Sequence, residues 1–203
     1  SFPKRGSSDL EIDTHKVTAN NHLGAFHATE HLIFQGYKRI AHITSPPYLS
    51  ITKERLKGYA DALEKHHIPF NESLIKYCDH GGMILQEIED AIKELYRAKI
   101  KPDAIFTASD RITTICFGLL KNMGLNKVLG FTGFTNSMVG GLFDPPMTVI
   151  KQPAFEMGQT ATELLIRMIE SKRPVVDFET RTLDTELVIR DSSRKKEGKN
   201  GKE

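Results

Sequence analysis

The chain has 203 residues, 39% of them hydrophobic and 27% charged, with a formal net charge of +2. That length can bury a real core in one large or two small domains. The near-neutral balance, with basic residues mixed among acidic ones as in Lys53-Glu-Arg55, excludes a dedicated nucleic-acid face outside the tail.

No apolar run reaches the ~18 residues that a membrane span needs. Ser1-Phe-Pro-Lys-Arg-Gly6 is not followed by the apolar stretch of a secretion signal, so a cytoplasmic location is expected. Cys78 and Cys116 have no metal or redox spacing and are expected to be buried small side chains.

Residues 1–16 are polar and irregular, and 17–21 read as a short extended segment running into a helix. Asn21 is the expected N-cap, the helix runs to Gln35, and Gly36 supplies its stop. A strand at 39–43 follows. Leu56, Tyr59, Ala60 and Leu63 then mark one helix face, ended by Pro69. A strand at 73–78 precedes a helix carrying Ile84, Ile88, Ala91, Ile92 and Leu95. After Pro102 come a strand at 104–107, a helix with Ile112, Ile115, Leu119 and Met123, and Gly124. The remaining elements are a strand at 128–132, a short turn or helix near 136–142, a strand at 147–150, a long helix at 154–171, and β-like stretches at 175–182 and 185–190. Residues 191–203 are rich in glycine and charge and are expected to be a disordered tail.

Strands alternating with helices of this length predict an α/β fold, a doubly wound and mainly parallel sheet with helices on both faces. Three of the strands run into small polar residues: Thr44-Ser45, Thr107-Ala-Ser109-Asp110, and Thr132-Gly-Phe-Thr135-Asn136. In such a sheet ligands bind at the carboxyl ends of the strands. Arg55, at the start of the helix after the 39–43 strand, can donate two parallel hydrogen bonds to a hydroxyl pair or a carboxylate.

No phosphate loop, dinucleotide fingerprint or nucleophile elbow occurs, and nothing assembles a nucleophile, a base and an oxyanion site. His27-Ala-Thr-Glu-His31 matches the H-x-x-E-H pattern of zinc peptidases. No third ligand is evident, so these residues are read as the solvent side of an amphipathic helix and no metal or cofactor is expected.

Several segments, in this order, resemble the effector-binding domain of the LacI/GalR family of bacterial transcription regulators. They are Val17-Thr-Ala-Asn20-Asn21, Gly36-Tyr-Lys-Arg-Ile40, Arg55-Leu-Lys-Gly58-Tyr59, Pro102-Asp-Ala-Ile-Phe106, Ser109-Asp110, Gly133-Phe134, Pro146-Met-Thr148-Val-Ile-Lys-Gln152-Pro153 and Arg190-Asp-Ser192. The resemblance covers residues 17 to about 193. It implies a periplasmic-binding-protein-like fold of type I, mainly its C-terminal subdomain. Residues 1–20 would be a remnant of the N-terminal subdomain and crossover, 21–151 the effector-binding subdomain, 152–173 a helix normally packed on the N-terminal subdomain, and 174–190 terminal strands.

The resemblance further implies that Arg55 contacts a small-molecule effector, a carbohydrate or a derivative of one. Ser109 stands where the family usually has asparagine, Thr135 where it has aspartate, and Asn20 where aspartate is common. His80, just past a strand end, completes the expected effector set. The implied protein is a homodimeric sensor that is not an enzyme and meets operator DNA only through a separate N-terminal domain. The long helix, having lost its partner surface, is expected to drive self-association or to be repositioned. The rival readings are a sugar-binding protein of a transporter and a zinc hydrolase using His27 and His31.

Overall fold

The computed structural model describes residues 14–171 and 177–195. The first thirteen residues, the 172–176 segment and residues 196–203 lie outside the described part, and with them most of the expected N-terminal remnant and tail.

A six-stranded sheet forms the centre. It contains β2 (Ile40–Thr44), β3 (Ile75–Tyr77), β4 (Ala104–Thr107), β5 (Gly130–Phe134), β6 (Thr148–Lys151) and β8 (Glu186–Val188), in the order β3-β2-β4-β5-β6-β8. All neighbours pair in parallel except β8, which runs antiparallel to β6. Every residue of β2, β4 and β5 is buried, as expected for parallel strands covered on both faces. A separate two-stranded parallel sheet joins β1 (Lys16–Ala19) to β7 (Thr180–Leu183).

Two apolar clusters divide between the faces of the main sheet. Helices α1 (Asn21–Phe34) and α2 (Ser50–Lys65) contribute Ala25, Ala28, Leu32, Tyr59 and Leu63 to one, against Ile40, Phe106, Phe134 and Ile150. Helices α3 (Leu85–Arg97) and α4 (Asp110–Asn122) contribute Ile88, Ile92, Leu95, Ile112 and Phe117 to the other, against Ile43, Ile105 and Phe131. Alternate residues of one strand, such as Ile105 and Phe106, therefore serve opposite cores. Cys78 and Cys116 are buried free thiols, both in the second cluster.

The doubly wound architecture agrees with the sequence reading, and several boundaries move. Asn20, not Asn21, caps α1, its side chain accepting from the Leu23 amide at 3.1 Å. Asn71 caps a 3-10 turn at Glu72–Leu74, which shortens the preceding end of β3. Val128 and Leu129 both donate their amides to the Leu125 carbonyl, so β5 begins only at Gly130 and continues to Phe134. Thr132 thus lies inside the sheet rather than beyond its end.

The expected tail is corrected at its start. Asp191–Ser193 form a 3-10 turn, with Ser192 and Ser193 buried. Ser192 donates its hydroxyl to the Phe131 carbonyl and accepts from the Thr148 amide, both at 2.8 Å. Ser193 hydrogen-bonds Thr148 Oγ1 at 2.6 Å and His31 Nε2 at 2.7 Å. His31 is therefore buried at an internal contact rather than facing water, and burial lowers its pKa, with Arg194 adding to the effect. His27 is exposed, and among the described residues no group of histidine, cysteine and carboxylate side chains is placed to hold a metal ion.

Helix α5 (Ala154–Glu170) buries Leu164 alone, and Phe155, Leu165, Ile166 and Ile169 remain exposed. Among the described residues no helix is long and apolar enough to cross a membrane.

Candidate functional site

The strand order reverses direction at the β2/β4 pair: β3 was added on one side of β2, then β4, β5 and β6 on the other. The carboxyl ends of two strands flanking such a reversal form a crevice. Here those ends are Thr44-Ser45 and Ala108-Ser109, and the start of α2 lies beside them.

Arg55 reaches into this point from the second turn of α2 and is only 2% exposed. Its Nε and Nη2 both donate to Asn21 Oδ1, at 3.0 and 2.7 Å, and Nη1 donates to the Ala108 carbonyl at 2.6 Å. The guanidinium lies 3.6 Å from the centroid of the Phe134 ring, a stacking geometry that stabilises a desolvated cation. Burial pulls its pKa down to about 9, partly opposed by the charge of Glu54, so it remains protonated at neutral pH. Glu54 itself reaches Arg55 through Asn21, whose Nδ2 donates to its carboxylate at 2.9 Å. Among the described residues Arg55 forms no ion pair.

Three hydroxyls on the same edge find no partner among the described residues: Thr44 Oγ1 at the end of β2, Thr52 Oγ1 one turn before Arg55, and Ser109 Oγ at the start of α4. Buried hydroxyls are seldom left so. Ser109 occupies the N-cap position of α4 without capping it, while its carbonyl accepts from Thr113 at 2.7 Å. Thr113 also donates to the Phe134 carbonyl at 2.9 Å and pairs with Thr107 at 2.8 Å, which ties the ends of β4, α4 and β5 together.

The remaining expected residues divide. Thr135 sits at the end of β5, but its hydroxyl is committed: it donates to Asp110 and accepts from the Ser137 amide at 2.9 Å. Asn20 caps α1 and donates Nδ2 to Asp184 at 2.9 Å. Beside Asp184 lies a cavity of about 220 Å³ lined also by Lys151, Gln152, Pro153, Glu156 and Glu186. His80 lies past the edge strand β3, is largely exposed, and pairs with Glu87 at 2.5 Å. The adjoining Gly81 and Gly82 border Ser45 and Ile112 near the start of α4. The structure therefore brings Arg55 and Ser109 together around Ala108, sets Thr135 and Asn20 at flanking element ends, and holds His80 on Glu87 in the loop after β3.

Sequence reasoning missed Asn21, the residue that orients Arg55, and the carboxylates Glu54, Asp110 and Asp184, each held by a neutral donor of the wall. The doublet Asn20-Asn21 at a helix start was the available signal: only one of two adjacent side chains can cap, which leaves the other for a different task.

The arrangement offers a buried, oriented cation and unspent hydroxyls, with no nucleophile–base pair among the groups that surround them. Such a donor set suits the binding of a polar ligand.

Residues 29–193 match a family model described as a periplasmic binding protein-like domain. The repressor CytR of Escherichia coli K12 is 32% identical over 188 residues, 92% of this chain and 53% of that protein. A crystal structure of a transcription regulator from Staphylococcus saprophyticus superposes with a TM-score of 0.80 at 26% identity, covering 91% of this chain and 67% of that one. A complex of the transcriptional regulator CelR with cellobiose superposes with a TM-score of 0.75 at 29% identity, covering 93% of this chain and 57% of that one. The chain thus spans about half the length of the curated relatives it matches.

Proposed function

The chain belongs to the family of periplasmic binding protein-like domains, in the form carried by LacI-type regulators, and from that premise we propose that it is the effector-sensing part of such a regulator. It binds a small metabolite of the sugar class in a cleft of which Arg55, Ser109, Thr135 and Asn20 form one wall. The single observation that carries this is the Arg55 guanidinium, clamped by Asn21 and Ala108 at the point where the strand order reverses. The cellobiose bound to CelR and the repressor role of CytR support the same reading.

Ligand binding changes the populations of two arrangements of the regulator only through a difference in affinity between them. Closure of the cleft over Arg55 supplies that difference, and a dimer passes it to a DNA-binding part outside this chain. The protein acts in the cytoplasm and is not an enzyme.

The test is a screen of neutral and derivatised sugars against the full-length protein, followed by operator binding. An effector is expected to change operator affinity in wild type, and Arg55→Ala is expected to lose the response while still binding DNA. An unchanged effector affinity in Arg55→Ala would remove Arg55 from the site, and a full-length protein with no DNA binding would overturn the regulator reading.

A further inference from the structure

The charge balance of the Arg55 wall narrows the chemistry of the ligand. A guanidinium carries five N–H donors. Three contact the protein: Nε and one Nη2 hydrogen on Asn21 Oδ1, and one Nη1 hydrogen on the Ala108 carbonyl. Among the described residues one hydrogen on each terminal nitrogen is uncommitted. The acceptors that hold the group are an amide oxygen, a backbone carbonyl and the face of Phe134, all formally neutral.

The carboxylates nearby offset its charge only in part. Glu54 is exposed and reaches Arg55 only across Asn21. Asp110 is exposed and takes the Thr135 hydroxyl, while Asp184 is exposed and takes the Asn20 amide. Charges in solvent are screened, whereas a cation almost wholly removed from water is not. A ligand that closes over this wall removes what hydration Arg55 retains. A neutral hydroxyl group would leave the charge uncompensated, at a cost that an anion avoids. A phosphate or carboxylate also presents two oxygens to a guanidinium fork. The unpartnered hydroxyls of Thr44, Thr52 and Ser109, on the same strand ends and helix start, are donors for further oxygens of such a group.

We infer that the effector carries an anionic group, a phosphate or a carboxylate, which seats on the two uncommitted N–H groups of Arg55, with hydroxyls of the wall donating to its remaining oxygens. This rests on the effector-site reading above and specifies its ligand as a sugar phosphate or sugar acid.

The experiment uses the full-length protein, with inorganic phosphate and acetate as probes of the two anion sources, chloride at equal ionic strength as the reference, and ribose as the neutral probe. Protection against thermal unfolding is read as a function of probe concentration in wild type, Ser109→Asp and Ser109→Asn. Both variants suit an N-cap position, so both are expected to fold; they differ in charge and not in size. Saturable protection of wild type by phosphate or acetate is expected. Ser109→Asp should bind the anion more weakly than Ser109→Asn by about tenfold or more, the scale on which one nearby charge shifts an ionic equilibrium. Stronger protection by phosphate assigns a phosphorylated effector, and stronger protection by acetate assigns a sugar acid. Anions no better than chloride, or equal loss in the two variants, would overturn the inference. If ribose then protects wild type and not Arg55→Ala, the effector site stands with a neutral ligand. If no probe protects, the anion is excluded and the operator-binding test above decides the regulator reading by itself.

Discussion

Asn21 Oδ1 receives two hydrogen bonds from Arg55, from Nε at 3.0 Å and Nη2 at 2.7 Å, so the first residue of α1 holds the buried cation of α2 in place. Asn21→Ala is expected to leave those donors unpaired and to cost about 1–3 kcal/mol, the penalty for a buried group without its partner. Glu54→Gln, which touches Arg55 only through Asn21, should cost under about 1 kcal/mol. Urea denaturation of the two variants checks this, and equal losses would show that Asn21 does not orient the guanidinium.

His42 is fully buried between the rings of Tyr59 and Phe106, at 5.2 and 4.7 Å between centroids. Burial lowers its pKa to about 3, while in the unfolded chain an imidazole titrates near 6.5. Between those values the unfolded state holds the extra proton, so folding stability falls as the pH drops, by at most about 1.4 kcal/mol per pH unit. His31, also depressed by burial, acts in the same direction. His42→Phe should shrink the stability difference between pH 7.5 and pH 5 by about 2 kcal/mol, on the same linkage arithmetic. An unchanged acid limb in denaturation curves would contradict a neutral buried His42.

Ser193 bridges His31 and Thr148 and is fully buried. Ser193→Ala strands His31 Nε2, while Thr148 Oγ1 keeps its bonds to Arg190, and should cost about 1–3 kcal/mol. Truncation after Arg190 also removes the Ser192 contacts to Phe131 and Thr148 and should cost more than the point variant. Calorimetric unfolding orders the two, and the reverse order would refute a structural role for the Asp191–Ser193 turn.

Gly58 lies where α2 crosses α1, and a side chain there would overlap the carbonyl oxygen of His22. Gly58→Ala is expected to push the helices apart, at about 1–3 kcal/mol for overpacking. Because α1 carries Asn21, effector affinity should fall with it. Gly118→Ala, in α4 with no neighbour near its added carbon, should instead stabilise by about 0.5–1 kcal/mol. Affinity that survives Gly58→Ala would separate helix spacing from the site.

The element order was legible because it rests on local pattern. Leu56, Tyr59 and Leu63 mark one helix face by spacing alone, and the uninterrupted apolar strands announce a sheet buried on both sides. Arg55 and Ser109 were legible from their places just beyond strand ends. The boundaries that moved did so where a nonlocal bond competes with local propensity. Gly130 enters the sheet because its amide meets the Asp103 carbonyl at 3.1 Å. The stretch from Asp191 looked like tail because its composition is polar, and Asp191–Ser193 form a turn because the Phe131 carbonyl and the Thr148 amide lie within reach of Ser192.

The sequence by itself determined the alternation of strands and helices, the two apolar faces and the strand ends at which a ligand is proposed to bind. These follow from periodicity and from the residues at strand ends, which are properties of neighbours along the chain. Only the tertiary structure decided that Arg55 is oriented by Asn21, that Thr135 is spent on Asp110, that His31 faces inward and that the hydroxyls of Thr44, Thr52 and Ser109 go unpaired among the described residues. Hydrogen bonds depend on distances of about 3 Å between groups that can be dozens of residues apart. No local pattern encodes which of many polar side chains will meet, so the charge balance of the wall emerged only once the chain was folded.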